Sequence, residues 1–156
     1  MSSIDTQALG TTSGTVRILP VALATAVGAI AFNALGIFGD GSDGAEYSGG
    51  EFWVISGLIA VATAVVFGLV VHRSARRSAF VGLALAIAGL LLLVPAFWSG
   101  LPAVLGAGGV ALGVAARRTR RSGVATAAVA IGALTLIGYV AIYLLDWMAT
   151  NNIAGM

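Results

Sequence analysis

Four of the chain's six acidic residues lie in the stretch GDGSDGAEYSGGE, residues 39–51. Calcium prefers carboxylate oxygens as ligands, so Asp40, Asp43 and Glu46 are candidates for an external cation contact. A calcium loop needs about 6–8 oxygen ligands, and the EF-hand pattern places acids or amides at alternate positions. Asp40 and Asp43 do not fit that spacing. We therefore interpret the stretch as a solvated loop, with a weak cation contact as the alternative, and predict no other metal site.

Few other residues could carry out catalysis. The chain has no Cys, which excludes thiolate ligands and Cys nucleophiles. Its one His, His72, stands beside Arg73 in the sequence, a setting more typical of a headgroup contact than of a metal or quinone site. The sequence offers no Ser–His–Asp set and no Gly-rich phosphate loop. We therefore expect a protein that is not an enzyme and holds no cofactor.

The composition indicates that lipid is the solvent for most of the chain. Of its 156 residues, 59% are hydrophobic and only 9% are charged, and the mean hydropathy is +1.03. Soluble domains have roughly 25% charged residues, and a small one could not bury so much apolar surface. All eight basic residues are Arg, a usage that suggests the GC-rich genome of a bacterium. We therefore predict an integral protein of the cell membrane.

The apolar blocks predict an all-α fold with five transmembrane helices, since a span needs about 20 apolar residues. The block 79–116 is long enough for two spans, and PAFWSGLP at 95–102 marks a turn inside it. Pro20 is predicted in the first turn of the first span, where a missing N–H matters little. Residues 1–16 and 147–156 become polar end segments. The predicted spans are 18–38, 52–71, 79–97, 101–116 and 123–145.

The Arg residues set the orientation, because short cytoplasmic loops carry the excess of positive charge. Seven of the eight lie in HRSARRS, residues 72–78, and RRTRRS, residues 117–122. A cytoplasmic N-terminus and an external C-terminus place all eight on the cytoplasmic side. The alternative has four spans, with half of residues 79–116 forming a re-entrant segment. Re-entrant backbone is tolerated only when it is buried in protein, so this alternative needs more neighbouring protein than the five-span fold.

The Arg clusters also predict partners. Arg clusters can bind nucleic acid, but their position between spans favours anionic lipid headgroups, and no nucleic-acid partner is expected. The predicted headgroup contacts are Arg73, Arg76, Arg77, Arg117, Arg118, Arg120 and Arg121.

Polar and small residues inside the spans are candidates for helix–helix or partner contacts. No ionisable residue falls in the middle of a span, so an ion-coupled transporter is not expected. Asn33 is the clearest polar residue within a span, and a buried amide seeks a hydrogen-bond partner. Gly28, Gly109 and Gly113 belong to small-xxx-small patterns, which let helix backbones approach closely.

An internal repeat further divides the fold into one N-terminal helix plus two helical hairpins. FWVISGLIAV at 52–61 resembles FWSGLPAV at 97–104, and Arg-Arg-Ser recurs at 76–78 and 120–122. Matching motifs at both ends of a span predict two parallel hairpins related by an axis along the membrane normal.

The second unit, residues 100–140, has an apolar span with Gly and Ala, an Arg-rich turn and a second span that contains Gly-Tyr. The residues of this pattern are Gly109, Ala111, Gly113, Arg117, Arg118, Arg120, Arg121, Gly123, Gly138 and Tyr139. In this pattern residues 100–140 resemble an actinobacterial family of two-helix membrane domains of unknown function. The resemblance implies a location and a topology but no reaction.

These observations favour an accessory or structural subunit, or a scaffold, of a larger membrane complex. The expected partners are membrane lipids with anionic headgroups, and other membrane subunits or further copies of the chain. A small transporter or channel for a neutral or lipidic solute is the main alternative. An enzyme acting on lipid would have to rely on the external acids with Tyr47.

Overall fold

The computed structural model describes residues 12–38, 49–71, 73, 78–119 and 122–150. Within these ranges the chain folds into five α-helices and contains no strand, so the predicted all-α fold is confirmed. The helices are α1 Thr12–Phe38, α2 Gly49–Thr63, α3 Ser78–Leu92, α4 Leu101–Thr119 and α5 Gly123–Thr150, with a π-helix at Ala64–Val71 after α2 and a 3-10 turn at Phe97–Ser99 before α4.

Two stretches of the described chain are long and apolar enough to cross a membrane. They are Gly50–Val71, which joins α2 to the π-helix, and Gly123–Ala149 in α5. Leu19–Leu35 and Ala79–Leu92 are shorter apolar helices. The structure is therefore consistent with association with a membrane.

The largest differences from the predicted spans are at three helix ends. α1 begins at Thr12, so Pro20 lies inside the helix and not in its first turn, and that prediction was wrong. Because Pro20 has no N–H, the carbonyl four residues earlier lacks its usual helical partner. α3 ends at Leu92, before the predicted residue 97, because Pro95 cannot donate the next helical bond and restricts the residue before it. α5 continues to Thr150.

The predicted division of the block 79–116 into two helices is confirmed. The Ser99 hydroxyl donates to the Ala96 carbonyl over 2.6 Å, and the Gly100 N–H donates to the Phe97 carbonyl over 3.3 Å. Gly100 has a φ of 69°, and a Cβ there would lie 2.8 Å from the side chain of Ile59. Both the backbone conformation and the space require glycine at this turn.

The core of the fold is the tight packing of α3, α4 and α5 on one another. A Cβ at Gly109 of α4 would lie 2.9 Å from the Gly82 carbonyl oxygen of α3. A Cβ at Gly132 of α5 would lie 2.7 Å from the Gly106 carbonyl oxygen of α4. The three backbones therefore approach so closely that only glycine fits at the crossings.

The π-helix after α2 packs its buried Val66, Phe67 and Val71 inward. A Cβ at Gly108 of α4 would lie 2.8 Å from Val66 Cγ1, so the missing side chain makes room for this valine. The Thr63 hydroxyl donates to the Ile59 carbonyl over 2.8 Å, just before the π-helix begins. Such side-chain bonds to the preceding turn often bend a helix.

The two predicted hairpins do not pack alike. α4 and α5 lie against each other along their lengths, whereas α2 and the π-helix pack mainly on α1 and α4. α3, the second helix of the first predicted hairpin, packs mainly on α4 and α5. The expectation of two equivalent hairpins was therefore wrong at the level of packing, because the Gly crossings join α3 to α4.

Substituting Gly132 by Ala should separate α5 from α4. The added Cβ would meet a backbone oxygen that cannot move independently of its helix, so we expect a loss of about 1–3 kcal/mol in the free energy of unfolding. Gly57 of α2 is the matched control, because a Cβ there meets nothing within 4 Å. Gly57→Ala should raise stability by about 0.5–1 kcal/mol through helix propensity. Equal thermal unfolding midpoints for the two variants would contradict the close crossing.

Candidate functional site

Several residues predicted to form sites lie outside the described part of the chain. Asp40, Asp43 and Glu46 are among them, so the proposed cation contact stays a prediction. Among the described residues, no group of three or more His, Asp or Glu side chains could hold a metal ion. The other predicted residues outside the described ranges are His72, Arg76, Arg77, Arg120 and Arg121.

Asn33 is buried, as predicted, with only 4% of its surface exposed. Its Nδ2 atom nevertheless has no hydrogen-bond partner among the described residues. The Ser56 hydroxyl of α2 is likewise buried without one. The sequence led us to expect a hydrogen bond from the Asn33 amide to a partner. Its nitrogen makes no such bond to a neighbouring helix.

Asn33 and Ser56 lie towards the same end of the bundle. A Cβ at Gly100 would contact both Ala29 of α1 and Ile59 of α2, so those two residues flank one point. Asn33 follows Ala29 by one helical turn, and Ser56 precedes Ile59 by one turn. Asn33 is thus displaced from that point towards the C-terminal end of α1, and Ser56 towards the N-terminal end of α2. The chain connects these two helix ends.

Thr135 makes an interhelical contact that the sequence analysis did not predict. This residue of α5 is completely buried. Its hydroxyl lies 2.9 Å from the Ile131 carbonyl of its own helix and 3.4 Å from the Ala86 carbonyl of α3. Sequence reasoning missed Thr135 because a threonine can bond its own helix, which makes it less conspicuous than an amide.

The three predicted contact glycines have different surroundings. Gly109 and Gly113 are helix contacts, since a Cβ at Gly113 would lie 3.0 Å from the Ala125 carbonyl oxygen and one at Gly109 equally close to α3. Gly28 of α1 faces open space within the chain, because a Cβ there meets nothing within 4 Å. The contact predicted for Gly28, with another helix or with a partner, therefore stays a prediction.

The α4–α5 hairpin ends in a cluster of polar and basic side chains. The Arg117 Nε donates to the Thr126 hydroxyl over 3.3 Å. Ser122 caps α5, with its hydroxyl accepting the Ala125 N–H over 3.2 Å. Arg118 and Arg73 are exposed, as is Arg117. The sequence signal for Ser122 was a cap-forming serine before a long apolar helix.

Two cavities lie along the bundle. The first, of about 660 Å³, is at the Arg end of the hairpin. The second, of about 510 Å³, is an apolar groove between α1, α4 and α5. The polar cavity is lined by Val114, Arg117, Arg118, Ser122, Gly123 and Thr126. The groove includes Pro20, Gly28 and Phe32 of α1, Ala103, Ala107 and Val110 of α4, and Leu136, Tyr139 and Val140 of α5.

No family model, curated protein or solved structure matches the chain. The resemblance of residues 100–140 to two-helix membrane domains therefore stays a prediction, and the function has to be argued from the geometry.

Replacing Asn33 by Leu should leave the isolated chain as stable or more stable. Leu removes an amide nitrogen that has no partner, and a buried unsatisfied group costs about 1–3 kcal/mol. Thr135→Val is the comparison, because it removes a buried hydroxyl that donates to the Ile131 carbonyl over 2.9 Å and lies 3.4 Å from the Ala86 carbonyl of α3. It should lower the free energy of unfolding by about 0.6 kcal/mol. Denaturant titration measures both, and a marked loss of stability in Asn33→Leu alone would show that the amide is bonded.

Proposed function

We propose that the chain is a multi-pass protein of the cell membrane that acts as a non-enzymatic accessory or structural subunit, or as a scaffold. In this proposal the five helices are five spans, the N-terminus is cytoplasmic and the C-terminus is outside. The observation that carries it is the exposure of large apolar side chains on every helix.

The exposed side chains are those that a water-soluble bundle would bury. Leu19 is 61% exposed, Phe80 is 73% exposed and Ile137 is 68% exposed, and they belong to α1, α3 and α5. α2 and the π-helix contribute Val61 and Leu69. Soluble monomers rarely expose contiguous apolar patches above a few hundred Å². Apolar surface on all sides supports immersion in lipid.

Aromatic and basic residues mark opposite ends of this apolar surface. The chain's three Trp residues, at positions 53, 98 and 147, are all exposed. They lie at the end of the bundle where α2 and α4 begin and α5 finishes. Arg73, Arg117 and Arg118 lie at the other end. Trp is enriched at membrane interfaces and Arg on the cytoplasmic side, which supports the proposed orientation.

The helix lengths also suit a bilayer. α4 has 19 residues, which corresponds to about 28 Å of helix, close to a hydrocarbon core of about 30 Å. α3 has 15 residues, about 22 Å, and the turn that follows it extends the same crossing. These lengths favour five spans over the re-entrant alternative.

The accessory role is supported by the loose packing of α1 and α2. These two helices make fewer contacts with the Gly-joined core than α3, α4 and α5 make with one another. A membrane subunit beside α1 and α2 would explain why they remain loosely packed. The ionisable residues of the described helices lie near helix ends, which gives no support to an ion pathway through the bundle.

The threading can be tested with single cysteines, because the chain has none of its own. In intact cells, a membrane-impermeant maleimide should label Ser42→Cys and Trp98→Cys. Ser3→Cys and Ser74→Cys should be labelled only after permeabilisation, since both lie on the proposed cytoplasmic side. External labelling of Ser74→Cys would overturn the orientation.

The accessory role can be tested by purification in mild detergent. We expect a complex of reproducible stoichiometry with other membrane polypeptides or with further copies of the chain. The second candidate function, transport of a lipidic solute, is favoured only by the apolar groove between α1, α4 and α5. An isolated chain that supports solute-dependent flux in liposomes would replace the accessory role with transport.

A further inference from the structure

The polar cavity at the Arg end of the bundle, called the Arg cavity below, lies where α4 ends and α5 begins. α4 contributes Val114, Arg117 and Arg118, and the two arginines follow Val114 at spacings of three and four. Residues at these spacings share one side of a helix. α5 contributes its first residue, Gly123, and Thr126. Two guanidinium groups and the start of a helix therefore border one cavity.

A hydrogen bond across the hairpin positions the Arg117 guanidinium. Its Nε donates to the Thr126 hydroxyl over 3.3 Å, which uses one of the five N–H groups of the side chain. The Thr126 hydroxyl donates in turn to the Ser122 carbonyl over 3.3 Å. Thr126 is thus a positioning residue, because its lone pair holds Arg117 at the cavity. A guanidinium that is already held loses less freedom when it binds a ligand.

The start of α5 adds backbone donors. The Ser122 hydroxyl accepts the Ala125 N–H over 3.2 Å, and the Ser122 carbonyl accepts the Thr126 N–H over 3.2 Å. The N–H groups of Gly123 and Val124 precede these two and have no acceptor within α5. A Cβ at Gly123 would meet nothing within 4 Å, so space is open beside these N–H groups. The positive end of the helix dipole favours an anion in that space.

The described part of the chain places no carboxylate near the two cavity arginines. The sequence has no Asp or Glu between Glu51 and Asp146. Glu51 lies in the first turn of α2 and Asp146 near the end of α5, both at the opposite end of the bundle. Two guanidinium groups without a nearby carboxylate attract an anion. This imbalance of charge points to an anionic ligand independently of the helix start.

A terminal phosphate matches the donors better than a phosphodiester does. A terminal phosphate has three acceptor oxygens and about 1.5–2 negative charges at pH 7, whereas a phosphodiester has two free oxygens and a single charge. Guanidinium groups bind phosphate oxygens through strong, charge-assisted hydrogen bonds. Three groups supply the donors here, namely Arg117, Arg118 and the start of α5. Each of them can therefore meet one of the three oxygens.

Val114 indicates where the rest of the ligand lies. Its side chain is 38% exposed, and it stands one helical turn nearer the middle of α4 than the two arginines. The cavity therefore has an apolar wall on the side of the proposed membrane core. Its volume of about 660 Å³ is that of a small-molecule site and exceeds what a phosphate group alone would fill. An apolar wall beside two arginines favours a lipid over a free phosphate ion.

We propose that the Arg cavity binds the terminal phosphate of a lipid of the cytoplasmic leaflet, of the phosphatidic acid class. The phosphate accepts hydrogen bonds from Arg117, Arg118 and the start of α5, and the glycerol end of the lipid lies against Val114. The assignment rests on the proposed membrane location. It turns a general attraction of the Arg loops to anionic headgroups into one site that selects a phosphomonoester.

The test compares lipid retention by the full chain in native mass spectrometry. The probes are phosphatidic acid, phosphatidylglycerol and phosphatidylcholine with identical acyl chains. The wild type should retain phosphatidic acid most strongly. Arg117→Gln combined with Arg118→Gln should weaken that retention by roughly tenfold or more, and Gly123→Leu should weaken it as strongly by filling the cavity. Equal retention of phosphatidic acid and phosphatidylglycerol by the wild type would overturn the site.

Two control variants leave the Arg cavity intact. Arg73→Gln removes an exposed Arg that does not line the cavity, and Gly57→Leu adds a side chain in open space on α2. Both should retain phosphatidic acid like the wild type. An equal loss in Arg73→Gln would indicate diffuse attraction to anionic lipid and would also overturn the site.

Substitutions of Thr126 test its positioning role. Thr126→Val removes the hydroxyl that holds Arg117, whereas Thr126→Ser keeps it. Thr126→Val should lower the ratio of phosphatidic acid to phosphatidylglycerol that the chain retains, and Thr126→Ser should leave this ratio at the wild-type value. Because Thr126 is exposed, both variants should unfold at similar denaturant concentrations. An unchanged ratio in Thr126→Val would show that this hydrogen bond does not position Arg117.

Titration of the detergent-purified chain with glycerol 3-phosphate separates a lipid from a water-soluble phosphomonoester, which presents the same terminal phosphate. Binding of glycerol 3-phosphate that depends on Arg117 and Arg118, without preferential retention of phosphatidic acid, would overturn the lipid as the source of the phosphate. A chain that needs detergent but binds neither probe preferentially would overturn only this site. A chain released from membranes without detergent would overturn the membrane proposal.

Discussion

Close contact between helix backbones at glycine is the constraint on which the rest of the structure depends. At Gly109 and at Gly132, a single added carbon would lie within 3 Å of a carbonyl oxygen on the facing helix. Such crossings leave little room for large side chains between α3, α4 and α5. Many Leu, Ile, Val and Phe residues of α3 and α5 therefore point outward, while α4 lies between these two helices. In water that arrangement would be costly, whereas in lipid it costs little because the acyl chains are as apolar as leucine.

The same constraint explains which parts of the fold could be predicted from the sequence. The lengths of the apolar blocks predicted five helices, and Pro95 and Gly100 predicted the break between α3 and α4. The facing surfaces could not be predicted, because these helices are apolar all round and no periodic stripe marks the buried side. Gly109 and Gly28 belong to similar small-residue patterns, yet only Gly109 meets another helix.

The candidate sites were predictable in part for a related reason. Arg117 and Arg118 were conspicuous as charges, and their exposure follows from their place at the end of α4. Their neighbour Thr126 was not, since it becomes a partner only when the hairpin closes. The π-helix at Ala64–Val71 has no sequence signature, and its fit to Gly108 depends on tertiary contact. A local sequence pattern does not contain information about such tertiary contacts.

The central claim is that the outward apolar surface of this bundle faces lipid. Leu134 tests it most directly, because it lies within α5, far from the Arg and Trp ends, and is 56% exposed. A nitroxide can be attached to a cysteine at position 134 of the chain in liposomes. Its collision rate with oxygen, which concentrates in lipid, is then compared with its collision rate with a water-soluble nickel complex. The structure in a bilayer predicts frequent collision with oxygen and very little with nickel. Frequent collision with the nickel complex in the folded protein would place this face in water and contradict the account.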